Sequence, residues 1–225
     1  SHVDITQTRD TDMFNKFLLT IAAFLILTGC DKPPAKEIEY GTIKDGVYSN
    51  SYFNLSIELP SDWAIQSQAA QRQMLESGVE VLTGDNQNLK QAIKASKQQT
   101  VTMFSVFKHE PGSSVTFNPS VIAVAEKVTN LQGIKRGSDY HFHVKNLLNA
   151  GQIQYQFPDP EYTREYSGVS FDIMPSEISV GPVKVYQKYI STRHKDYTLS
   201  FILSYTNPGE ESELNAILDT LKMSK

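Results

Sequence analysis

Tyr197-Thr198-Leu199-Ser200-Phe201-Ile202-Leu203-Ser204-Tyr205 runs directly into Thr206-Asn207-Pro208-Gly209-Glu210-Glu211, and this change from one period to another decides the class of fold. Tyr197, Leu199, Phe201, Leu203 and Tyr205 alternate with Thr198, Ser200, Ile202 and Ser204, the period of two that places one set on each face of a strand. Asn207 is placed to cap a helix, Pro208 suits its first position, and Glu210 and Glu211 face the positive end of its macrodipole. Leu214, Ile217, Leu218 and Leu221 then recur at i, i+3, i+4 and i+7, a buried helical stripe. Upstream, Val169–Ile173 and Val183–Ile190 are strand runs. The short polar segment Ser191–Asp196 joins the second of them to Tyr197 as an antiparallel hairpin.

Earlier in the chain the elements are mixed. Tyr52–Leu59 alternates, with Phe53, Leu55, Ile57 and Leu59 on one side, and stops at the turn Pro60-Ser61-Asp62-Trp63. Ala64–Val81 and Asp85–Lys97 read as helices separated by Gly84. The second has Asp85 as its cap and Leu89, Ala92 and Ile93 on one face. Thr100–Phe107 and Val121–Val128 are strand-like. Ser138 opens a third helix whose Tyr140, Val144, Leu147 and Leu148 form one stripe. Hairpins outnumber parallel crossover units, so the class is α+β, an antiparallel β-sheet with helices packed on both faces.

The chain has 225 residues, 40% hydrophobic and 20% charged, with 12 Gly and 10 Pro, the make-up of an ordinary globular domain. Lys+Arg 21 against Asp+Glu 25 gives a net charge of −4, which argues against a nucleic-acid partner. A single cysteine excludes a disulfide framework.

That cysteine follows a distinctive leader. Residues 1–12 precede the first methionine and are set aside as an upstream remnant. From Met13, Lys16 supplies a positive charge and Phe17–Leu27 is an uncharged apolar run. As a helix it would span about 16 Å, roughly half of a ~30 Å hydrocarbon core, which suits a signal-peptide core and not a membrane span. Leu27-Thr28-Gly29-Cys30 directly behind it resembles the lipobox of bacterial lipoproteins. The resemblance implies a signal peptide over residues 13–29, cleavage before Cys30, and a diacylglyceryl group on the Cys30 sulfur. Such a chain is anchored to a membrane through lipid rather than spanning it. Residues 30–45 read as the lipidated cysteine and a short tether, extended at Pro33-Pro34. Residues 46–225 then form one globular domain. Asp31, next to the cysteine, resembles the inner-membrane retention residue of enterobacterial lipoproteins.

The order of elements resembles the PsbP-like family. The likeness rests on Tyr52–Leu59 ending in Pro60-Ser61-Asp62-Trp63, on Asn118-Pro119-Ser120 leading to Glu126, and on Tyr197–Tyr205 with the helix Glu210–Leu221. It covers roughly Gly46–Met223. The resemblance implies an α/β/α sandwich around an antiparallel sheet and a role as a binding or assembly module, with no catalytic or metal residue to carry over.

Chemistry-bearing patterns are few. His141-Phe142-His143 falls on the third helix, where residues two apart point about 200° away from each other, so both are expected on the surface and neither as a metal ligand. His109 and His194 stand near strand ends and read as solvated turn residues. No Gly-x-Ser-x-Gly elbow and no Gly-rich phosphate loop occurs. The segment Gln156-Phe157-Pro158-Asp159-Pro160-Glu161-Tyr162-Thr163-Arg164-Glu165-Tyr166 sets acids among aromatics, with two prolines holding it extended. Tyr155, Phe157, Asp159, Glu161 and Tyr162 are therefore candidate contact residues. The same aromatics could instead be core or edge-strand residues.

The functional expectation is a non-catalytic lipoprotein on the extracytoplasmic face of a cell membrane. It would bind or assemble another envelope protein, with no cofactor, no metal and no nucleic acid. The alternative is a small-ligand binder with an aromatic-lined pocket, suggested by 11 Tyr and 11 Phe.

Overall fold

The computed structural model describes residues 40–224. Signal segment, lipobox and most of the tether lie outside them. The strands are β1 (Thr42–Lys44), β2 (Val47–Asn50), β3 (Leu55–Glu58), β4 (Ala64–Ile65), β5 (Thr100–Phe107), β6 (Ser120–Lys127), β7 (Tyr162–Tyr166), β8 (Val169–Val180), β9 (Val183–His194), β10 (Tyr197–Tyr205) and β11 (Lys222–Met223). The helices are α1 (Gln68–Thr83), α2 (Gln87–Lys97), α3 (Gly137–Ala150) and α4 (Pro208–Asp219).

A seven-stranded sheet, in the order β4-β5-β6-β10-β9-β8-β7, carries a second sheet of order β1-β2-β3-β11, and every described pairing is antiparallel. One apolar layer joins Phe104, Phe171, Phe201 and Leu203 of the large sheet to Tyr48, Ile57, Leu214 and Leu218 of the small sheet and α4. A second layer joins Ile122, Met174, Tyr189 and Ile202 on the opposite face to Val79, Ile93, Val144 and Leu148 of α1–α3. The class is α+β, with helices on both faces of an antiparallel sheet. The small sheet shares one face with α4.

The passage quoted at the outset folds as read. Asn207 Oδ1 accepts the Glu210 N–H at 3.1 Å, Pro208 opens α4, and Leu214, Ile217, Leu218 and Leu221 are buried. β10 is the central strand, and its Thr/Ser face is buried as completely as its aromatic face. The Ser200 and Ser204 hydroxyls find partners across the strands, Ser191 Oγ to Ser200 Oγ at 2.7 Å and Gln187 Nε2 to Ser204 Oγ at 3.1 Å, while Thr198 Oγ1 is buried without one. Small side chains on this face leave room for α3 to come close. A Cβ on Gly137 would be driven into the Ser191 carbonyl oxygen.

Several boundaries differ from the sequence reading, each for a local reason. Tyr52–Asn54 is a turn, with Asn54 at φ 49°, so the opening strand is only Leu55–Glu58. Phe53, Leu55, Ile57 and Leu59 are nevertheless all buried. Ala64–Ile65 pairs with β5 rather than starting a helix, because Ser67 caps α1 through its Oγ and Ala70 N–H. Asn86 caps α2, not Asp85. At α3 the start falls at Gly137, and Asp139 Oδ2 accepts the Lys135 and Arg136 N–H groups.

β8 continues through Pro175 to Val180. β7 ends its pairing at Ile173, so Pro175 lies where β8 has become an outer strand and needs no donor on that side. The fold also begins before Gly46. Asp45 (φ 51°) and Gly46 (φ 76°) form a two-residue hairpin turn between β1 and β2, and Ser167-Gly168 does the same between β7 and β8.

Candidate functional site

The lipidation candidate Cys30 lies outside the described residues. The aromatic-acidic segment lies within them, against the flank of α3. Tyr155 belongs to the second apolar layer, where burial pushes its hydroxyl pKa up to about 12 despite a hydrogen bond with Tyr189. Phe157 stacks on Tyr155 with centroids 6.5 Å apart and lies under Lys145 Nζ at 5.4 Å. Glu161 bridges two residues of α3, with Oε2 2.8 Å from His141 Nδ1 and Oε1 accepting from Lys145 Nζ at 2.7 Å. Burial alone would raise the Glu161 carboxyl pKa. The hydrogen bonds from His141 and Lys145 outweigh it and hold the group below its ordinary value. Asp159 is exposed, and Tyr162, 44% exposed, starts the edge strand β7 with Lys188 Nζ 5.9 Å from its ring. Tyr155, Phe157 and Glu161 are thus engaged by their own chain, while Asp159 and Tyr162 are presented to solvent.

The histidine expectations are corrected. His141 is fully buried, placed between α3 and Glu161, and its Nε2 has no hydrogen-bond partner. His143 is only half-buried, with desolvation lowering its pKa. His194 is 7% exposed rather than a solvated turn residue. It lies against Phe53, and desolvation, then the neighbouring Lys195, lowers its pKa. His109 is exposed, as read. Among the described residues no three His, Cys, Asp or Glu side chains are grouped to hold a metal ion.

A buried polar knot ties α2 and α3 to β6. Glu126 is 1% exposed and accepts from the Tyr140 hydroxyl at 2.5 Å and from Ser96 Oγ at 3.3 Å. Burial, followed by the adjacent carboxylate, raises the Tyr140 hydroxyl pKa well above 10. The carboxylate spans three elements, which suits a fastening role.

A charged cavity opens where the sheet splits. β8 and β9 run on to Val169 and His194, but their ladder begins only at Asp172↔Ser191. The N-terminal end of α3 meets this gap, leaving a cavity of 540 Å³ lined by Lys135, Arg136, Gly137, Asp172, Arg193, His194 and Lys195 among others. Asp172 holds one wall. It accepts from Arg136 Nε at 2.9 Å, from Arg136 Nη2, from the Ser138 N–H at 2.9 Å and from Thr163 Oγ1 at 3.0 Å. The Arg136 hydrogen bond is the main reason its carboxyl is held down at about 2, against the opposing effect of burial.

Arg193 is fixed by two backbone carbonyls, donating from Nε to Lys195 at 2.7 Å and from Nη1 to Ile134 at 3.2 Å. Lys195, in the left-handed region at φ 52°, donates to the Tyr52 carbonyl and covers the Tyr52 ring at 4.6 Å. Another cavity, of 560 Å³ beside β2, β3 and β11, has serine and asparagine walls. Neither cavity has a Tyr, Phe or Trp side chain in its lining, because the Tyr and Phe side chains are largely spent in the two core layers.

The sequence reading passed over the cavity residues. The signal available was two basic runs, Lys135-Arg136 and Arg193-His194-Lys195, in a chain of net charge −4.

No protein-family model matches the chain, and no curated protein sequence matches it. Several solved structures show a limited similarity to the chain. The cyanobacterial PsbP (CyanoP) of Synechocystis sp. PCC 6803 is similar with a TM-score of 0.49 at 12% identity, over 79% of this chain and 91% of that one. LpqN of Mycobacterium tuberculosis, involved in cell envelope biogenesis, is similar with a TM-score of 0.42 at 12% identity, over 76% of this chain and 83% of that one. A Pseudomonas aeruginosa protein of unknown function gives 0.39 at 13% identity, over 51% and 79%.

Proposed function

We propose that this protein is a lipid-anchored lipoprotein of the bacterial cell envelope, working as a non-catalytic binding or assembly module on the extracytoplasmic face of the membrane. One observation carries the reading: the chain's single cysteine stands at Leu27-Thr28-Gly29-Cys30, directly behind the apolar run Phe17–Leu27. Among the described residues no helix is long and apolar enough to cross a membrane. The anchor in this reading is therefore the acyl chains on Cys30, with stable attachment requiring two or more of them. Tyr40, the first described residue, stands ten positions after Cys30. At full stretch the ten steps reach about 35 Å, so the domain stays close to the membrane surface.

The experiment is metabolic labelling with radioactive palmitate in a bacterial host. The natural chain is expected to incorporate label and mature to the form starting at Cys30. Cys30→Ala is expected to accumulate as precursor without label. Persistent labelling of Cys30→Ala refutes the anchor. A crosslinked pull-down of the anchored chain from native membranes then tests the module. Recovery of a near-stoichiometric envelope protein supports it, and a defined turnover abolished by one side-chain change refutes the non-catalytic reading.

A further inference from the structure

We propose that the 540 Å³ cavity between the N-terminal end of α3 and the splayed ends of β8 and β9 is an anion site that takes the phosphate group of a small ligand or lipid headgroup. Three independent features meet there. Charge is the first. Lys135, Arg136, Arg193 and Lys195 line the cavity against the single carboxylate of Asp172, so the lining carries three net positive charges within a chain of net charge −4. Local charge of one sign concentrated in a cleft focuses the field and draws a counter-ion to it.

Preorganisation is the second. Arg193 is held by the carbonyls of Lys195 and Ile134 through one Nε–H and one Nη1–H, which leaves three further guanidinium N–H groups for a ligand. A guanidinium already fixed in place loses little freedom on binding, and its fork matches phosphate oxygens. Arg136 is similarly fixed, on Asp172.

The third is an unpaired buried nitrogen. His194 lines the cavity at 7% exposure, and its buried Nε2 has no hydrogen-bond partner. A buried polar atom without a partner is costly, and in the tautomer protonated at Nε2 a phosphate oxygen would supply the missing acceptor. The end of α3 adds its dipole, although the Ser138 N–H already donates to Asp172. The volume lies within the range of about 300–1,000 Å³ typical of ligand pockets, larger than one phosphate needs, so the group arrives attached to something. None of this depends on lipidation at Cys30.

The test uses the full chain and two probes. Line broadening of inorganic phosphate in phosphorus NMR reads binding directly. Co-sedimentation of the Cys30→Ala chain with phosphatidylglycerol vesicles reads headgroup binding without a lipid anchor. The natural chain is expected to broaden the phosphate line. Arg193→Gln is expected to weaken binding about tenfold, since it removes the fixed charged donor. Lys135→Gln alters an exposed side chain and should weaken binding about threefold with unchanged circular dichroism, so misfolding cannot account for the loss. Vesicle binding that inorganic phosphate displaces identifies a lipid headgroup as the source. Phosphate binding without vesicle binding identifies a soluble phosphate ester. No broadening by the natural chain, equal broadening by it and both variants, or vesicle binding insensitive to phosphate overturns the proposal.

Discussion

Asp172→Asn is the perturbation with the most closely determined outcome. The Asp172 carboxylate accepts from Arg136, Ser138 and Thr163, and its pKa is held at about 2 against an ordinary 3.8. A pKa difference between the folded and unfolded chain is a stability contribution of about 1.4 kcal/mol per tenfold, so the ionised carboxylate stabilises the fold by about 2 kcal/mol at pH 7. The sign follows from the direction of the shift. A depressed carboxylate contributes fully above its unfolded pKa and loses that contribution as the pH falls from about 4 towards 2. Asparagine keeps the shape and removes the charge. The released Arg136 is more than half exposed and can be solvated, so no second buried charge confuses the result.

The assay is urea unfolding followed by the fluorescence of Trp63, the only tryptophan, which packs against the first apolar layer. Natural chain and variant should differ by about 2 kcal/mol at pH 7 and pH 5, and by roughly half of that at pH 3. In thermal unfolding the same difference lowers Tm by about 4–8 °C for a domain of this size. A gap that is constant from pH 7 to pH 3 would show that the ionised charge contributes nothing and would refute the reasoning.

Two further substitutions test the packing around the same helix. Gly137→Ala places a Cβ against the Ser191 carbonyl and must push α3 off the sheet; the expected loss is about 1–3 kcal/mol by urea midpoint, and an unchanged midpoint would mean the helix is not seated there. Tyr140→Phe removes the hydroxyl donor to the buried Glu126 and should cost about 1–3 kcal/mol at pH 7, with the natural stability retained only if that bond is idle.

Legibility tracked how local the physics was. The cap at Asn207, the stripe of α4 and the alternation of β10 depend on neighbours within a few residues and are legible in the sequence. The strand run Val169–Ile173 continues in β8 through Pro175 to Val180, and only the pairing order shows that β7 has already ended where the proline falls. The helical position of His141 says nothing of its neighbours from elsewhere in the chain, and those bury it. Glu161, 20 residues away, covers it. The aromatic-acidic segment was picked out by composition. Whether its acids face a partner or their own chain was beyond composition, and Glu161 turned out to be held by α3.

The sequence by itself determined the α+β class, the period of each long element and the single candidate for lipid attachment, since these follow from spacing along the chain and from one cysteine at one position. Tertiary structure alone decided where charge accumulates. Lys135-Arg136 and Arg193-His194-Lys195 are unremarkable short basic runs, far apart in an acidic chain. They share a cavity because β8 and β9 part below Asp172↔Ser191 and α3 enters the gap, bringing cations together that no periodicity relates.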